Sequence, residues 1–81
     1  MSTLTFTQGA AISRVGCELH TLDPREVDAV AREAARAGLV PSDAEMLLRQ
    51  ARTVNGVAYT TGDVRDLEDA IEGAIATRRW A

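Results

Sequence analysis

The chain has no lysine: all nine of its basic residues are arginine. That removes the phosphate-reaching lysine of a P-loop and any lysine-rich nucleic-acid tail. A single cysteine, Cys17, cannot close an intramolecular disulfide, so nothing in the chain calls for an oxidising compartment. Phe, Tyr and Trp occur once each, which leaves little aromatic bulk for a core. No apolar run approaches the ~20 residues needed to cross a bilayer. The opening MSTLTFTQG lacks both the positive charges and the apolar stretch of a signal peptide. A cytoplasmic protein without a membrane partner is the expectation.

What is present fits one small domain spanning residues 1–81. Apolar types reach 46%, but 14 of those residues are alanine, so the core will be thin. Domains of this size bury only ~60% of their unfolded surface. Self-association as a homodimer would hide further apolar area. Twelve acids against nine bases leave a net charge of −3.

The clearest local signal is Leu22-Asp23-Pro24-Arg25-Glu26-Val27. Asp23 can accept from first-turn amides, and Pro24 suits the first helical position because its missing N–H costs nothing there. Glu26 stands three residues on, placed to reach back to the Asp23 amide, with Leu22 and Val27 as a hydrophobic staple. Val27, Val30, Ala31, Ala34 and Ala37 share one face, and Asp28, Arg32 and Arg36 form a solvated ladder on another. Gly38 supplies the left-handed stop, which predicts a helix over 24–37. Ser42-Asp43-Ala44-Glu45 is a second capping box, opening a helix from 43 whose stripe is Ala44, Leu47, Leu48, Ala51 and Val54. Met46 falls off that stripe. Asn55-Gly56 can end the helix or make a hairpin turn; the spacing of apolar residues up to Val54 favours the helix end. Residues 57–60 suit a short strand. Thr60, Thr61 or Asp63 then caps a third helix over about 63–78, with Val64, Leu67, Ile71, Ala74 and Ile75 on its apolar face.

The first 22 residues admit two readings. Residues 3–7 alternate as a strand, and residues 14–21 do so too, with Val15, Cys17 and Leu19 on one side. Ala11, Ile12, Val15, Leu19 and Leu22 also fit helical spacing. Gly16 inside a helix would cost ~1 kcal/mol, which tips the reading to strand. The resulting expectation is an α+β fold: short N-terminal strands, a helical hairpin, a small third strand and an acidic C-terminal helix.

No catalytic or metal constellation emerges. Cys17 and His20 could in principle pair as thiolate and base, but on a strand they face opposite sides. Cys17-x-x-His20 is half of a zinc site, where four N or S ligands are usual. No cofactor is called for, and an enzyme is not expected. Residues 34–54 resemble a helix-turn-helix, in which the second helix would enter the major groove. Asp43, Glu45, Arg49 and Arg52 on that helix sum to zero charge, however, and DNA affinity rests on phosphate neutralisation, so no direct nucleic-acid contact is expected.

The most informative feature lies between 63 and 72, where Asp63, Asp66, Glu68, Asp69 and Glu72 face a single base, Arg65. Asp63 and Asp66 gain from the helix dipole; Glu72 is too far along to do so. A solvated face and a surface offered to a basic partner are both consistent with this pattern. Trp80, in the tail Arg78-Arg79-Trp80-Ala81, could fold onto the core or stand out as an interface anchor.

On the Asp63–Glu72 cluster, together with its short, lysine-free, acidic chain, the sequence resembles the small phage-encoded anti-defence proteins, among them the anti-CRISPR proteins. The resemblance implies inhibition of a bacterial CRISPR effector complex, by covering its basic DNA-binding surface or hindering nuclease recruitment. Such families vary too much to transfer residues by motif. Electrostatics alone therefore selects Asp63, Asp66, Glu68, Asp69 and Glu72 as candidate partner-binding residues, and Trp80 joins them as the aromatic interface anchor. The alternative is a helix-turn-helix regulator of a phage or mobile element.

Overall fold

The computed structural model describes the backbone of residues 2–80 and the side chains of residues 9–78. Its elements are helix α1 (Ser2–Gly16), helix α2 (Pro24–Arg36), a 3₁₀ turn (Pro41–Asp43), helix α3 (Ala44–Asn55) and helix α4 (Thr61–Trp80). No strand occurs among the described residues, so the α+β expectation is corrected to an all-helical fold. α1 packs on α3, α2 packs along α4, and the 3₁₀ turn and α3 also touch α4.

The largest correction is at the N-terminus. Residues 3–7 and 14–16, whose alternation suggests strand, are helical in α1, and residues 17–21 continue as turn and loop. Helical spacing prevails over the two-residue alternation because it turns Val15 fully inward, with Ala11 and Ile12 packed beside the core. Leu19, just beyond the helix end, is fully buried as well. The side chains of residues 3–7 lie outside the described set. Gly16, unfavourable by propensity, is what brings this helix end onto α3. A Cβ there would stand 2.7 Å from the Gln50 Cβ and 3.0 Å from the Leu47 carbonyl oxygen. The propensity cost of glycine is thus offset by a close helix–helix approach that no other residue permits. Asn55 secures the same end, its Nδ2 donating to the carbonyls of Cys17 and Leu19, both at 2.9 Å.

α2 follows its sequence signals closely. The Asp23 carboxylate accepts from the Arg25 amide at 2.9 Å, and Pro24 occupies the first turn. Glu26 differs from its predicted role: its Oε1 accepts from the backbone amides of His20 and Thr21 rather than from Asp23. These two amides, Thr21 foremost, hold the Glu26 carboxyl below the ordinary carboxylate range. At the other end the Leu39 amide donates to the Ala34 carbonyl and the Gly38 amide to Ala35, with Gly38 at φ 85°. This is the Schellman closure, and it drives Leu39 into the core.

Asp43, rather than Ser42, organises the entry to α3. It is buried, and its Oδ2 accepts from the Val40 amide at 2.9 Å while its own amide donates to the Val40 carbonyl. Ala44, Leu47, Leu48 and Ala51 are buried as their spacing predicts, but Val54 is 49% exposed because the helix turns it past its contacts with α1 and α4. Asn55-Gly56 ends the helix, with Gly56 at φ 71°, and Val57 folds back into the core. Residues 57–60 form no strand: with α1 helical, no described segment offers them an edge to pair with.

The core is Val15, Leu19, Val30, Ala31, Ala34, Leu39, Ala44, Leu47, Leu48, Ala51, Val57, Leu67 and Ile71. Its thinness matches the alanine-rich composition.

Candidate functional site

The acidic segment belongs to α4, and its position follows from how that helix starts and what it buries. The Thr60 amide donates to Asp63 Oδ2 at 2.8 Å, and the Asp63 amide donates back to the Thr60 hydroxyl at 3.3 Å. This reciprocal cap sets the start of the helix. Leu67 and Ile71 are buried, with Val64, Ala70 and Ile75 partly buried around them. That apolar stripe fixes the rotation of α4, and the rotation turns Asp66, Asp69 and Glu72 to solvent, with Glu68 half-buried at the edge.

Two of the six selected residues are not part of this exposed row. Asp63 is spent on the cap, where its carboxylate accepts from the Thr60 amide and hydroxyl. Trp80 has its backbone in α4, but its side chain lies outside the described residues. The remaining four, Asp66, Glu68, Asp69 and Glu72, share the flank.

None of these four carboxylates has an ion-pair or hydrogen-bond partner among the described residues. Arg65, one turn before Glu68 and Asp69, is exposed and bonded to neither. Pairs three and four apart, such as Asp66 with Asp69 and Glu68 with Glu72, repel by roughly 0.2–0.5 kcal/mol each. The row is therefore a negative surface held in place by the core and mildly unfavourable to the helix that carries it.

Elsewhere, several helix charges are matched. Glu45 pairs with Arg49 at 3.2 Å, Asp28 with Arg32 at 3.5 Å, and Glu33 with both Arg36 at 3.1 Å and Arg14 at 3.5 Å. The charges of α3 that would face DNA in a helix-turn-helix include one of these pairs, Glu45–Arg49, with Arg52 exposed beyond it.

Cys17 is half-buried, and Gln50 Nε2 donates to its Sγ at 3.7 Å; His20 is exposed in the loop that follows. No group of three or more His, Cys, Asp or Glu residues able to hold a metal occurs among the described residues. Among the described residues, no helix is long and apolar enough to cross a membrane. One arrangement is invisible in the spacing: Arg32, Arg36 and Arg78, scattered in sequence, line one groove between α2 and α4. In the sequence the arginines of α2 read as a solvated ladder and Arg78 as a dipole partner, and only the packing of α2 along α4 unites them.

Comparison with protein-family models, with curated proteins and with solved structures finds no match to this chain.

Proposed function

We propose that the protein is a non-catalytic binding module that presents the α4 carboxylates to a basic protein surface. The observation that carries this reading is the flank of Asp66, Glu68, Asp69 and Glu72, without ion-pair or hydrogen-bond partners among the described residues. A fixed row of negative charge on a rigid helix steers association with a cationic partner and occupies positions that phosphates would otherwise fill. The partner class this suits is a nucleic-acid-handling complex. The resemblance to anti-CRISPR proteins directs the first trial to a bacterial CRISPR effector, acting in the host cytoplasm.

The test compares the wild-type protein with a D66N/E68Q/D69N/E72Q variant in assays of DNA binding and cleavage by purified effector complexes. The expected result is inhibition that weakens as salt rises. It should fall at least about tenfold in the variant, since a hydrogen bond to a charged group is worth roughly 1.5–3 kcal/mol. An R49Q/R52Q variant should inhibit as well as wild type. Equal inhibition by the acidic-row variant overturns the proposal. Sequence-specific duplex binding that disappears in R49Q/R52Q would replace it with the helix-turn-helix regulator.

A further inference from the structure

Besides its acidic flank, the molecule has a cationic concavity. The groove between α2 and α4 has a volume of about 390 Å³, within the range of small-molecule sites. Arg32 and Arg36 come to it from α2 and Arg78 from the last turns of α4, and among the described residues Asp28 is the one carboxylate in its lining. These are three guanidinium groups against one acid, on a chain whose overall charge is −3.

The local counter-ions leave this excess standing. Asp28 is tied to Arg32 at 3.5 Å, and Glu33, just outside the lining, is shared between Arg36 and Arg14. Arg78 has no partner among the described residues. The arginines of both pairs within α2 are exposed, so they can turn to a ligand at little cost. The planar fork of arginine matches phosphate oxygens two at a time.

The floor adds a second, independent observation. It is made of small residues, Ala70, Gly73 and Ala74. Glycine inside a helix is unfavourable, yet a Cβ at Gly73 would meet nothing within 4 Å, so packing within the chain does not require it. What the missing side chain does is keep the groove open. The Thr77 hydroxyl, which also lines it, donates to the Gly73 carbonyl at 2.9 Å, which leaves recognition to the guanidinium groups.

We infer that the α2–α4 groove binds a small organic phosphate, with the phosphate held by Arg32, Arg36 and Arg78 and an apolar body resting on Ala70, Gly73 and Ala74. This site is separate from the acidic row and stands or falls independently of the proposed function.

The test is a titration of the ¹⁵N-labelled full chain, followed by amide chemical shifts, with phenyl phosphate, inorganic phosphate and phenol at constant ionic strength. Phenyl phosphate should give saturable shifts confined to residues 28–36 and 70–78. Inorganic phosphate should move the same amides more weakly, and phenol should move none. Gly73→Leu, which fills the groove where a side chain meets no atom, should keep the fold and abolish saturation. Arg36→Gln combined with Arg78→Gln should weaken binding about tenfold or more, while Arg25→Gln, outside the groove, should leave it unchanged. Saturation that survives both groove variants, shifts spread equally over Arg25, Arg49 and Arg52, or the absence of saturation at millimolar phenyl phosphate each overturn the inference.

Discussion

Helices α2 and α3 pair Asp28, Glu33 and Glu45 with arginines; among the described residues α4 pairs none of its acids. In α3, Glu45 precedes Arg49 by four residues, and in α2, Asp28 precedes Arg32 by four. Acid before base is the orientation in which an i,i+4 pair and the helix dipole reinforce each other. In α4 the lone base of the segment, Arg65, comes before Glu68 and Asp69, the weaker order, and neither bond forms. The same fold thus contains surfaces whose charges are paired within the chain and one whose carboxylates have no ion-pair partner among the described residues. The difference is written in the order of charges along each helix.

The comparison is sharpened first by showing that α4 is as integral to the core as α3. Leu47→Ala and Leu67→Ala should each cost about 2–5 kcal/mol in chemical denaturation, because both side chains are enclosed. A cost at Leu67 well below that range would mean that α4 is not held rigidly and that its acidic row is no fixed surface. Next, Asp43→Ala should cost about 1–2 kcal/mol, since it leaves the Val40 amide unanswered, whereas Asp66→Ala should be nearly neutral. Equal costs at the two positions would dissolve the contrast between carboxylates with structural work and those without it.

A smaller effect concerns Glu26 and pH. Its folded-state pKa is depressed by the Thr21 and His20 amides, so its contribution is present above the unfolded carboxylate pKa and is lost as pH falls through the folded value. Glu26→Gln should lower stability in the neutral region and flatten the acid-side decline, so that the two stability–pH profiles converge as pH falls. The smallest expected effect has the opposite sign: Asp69→Asn with Glu72→Gln should raise stability by roughly 0.2–0.5 kcal/mol, through relief of like-charge repulsion. A drop in stability instead would reveal that these acids do have internal partners.

Much of this architecture is legible in the chain. Asp23-Pro24 and Gly38 bound α2 to within one residue of the observed Pro24–Arg36, because caps act through bonds to their own helix. The acidic row is legible for the same reason: Leu67 and Ile71 point inward, and helical geometry then dictates which acids point out. The N-terminal segment misleads because its evidence is not local. Gly16 argues against a helix until Gln50 and Leu47 are placed against it, and the alternation of Val15, Cys17 and Leu19 is as regular as a strand's. The strand expected at 57–60 fails along with it, having no partner. Asp63 is legible both as a cap candidate and as a member of the acidic cluster, and its bonds with Thr60 assign it to the cap.

By itself, the order of residues determined where α2, α3 and α4 lie, which of their faces turn inward, and which carboxylates lack a base placed to answer them. These properties depend on neighbours within a helical turn or two, where caps, dipoles and periodicity operate. Tertiary structure alone decided that residues 2–16 are helical, that Asn55 closes the end of that helix from 36 and 38 residues away, and that Arg32, Arg36 and Arg78 line one groove with Gly73. Each of these joins residues distant in sequence, and their energies exist only once the helices have packed.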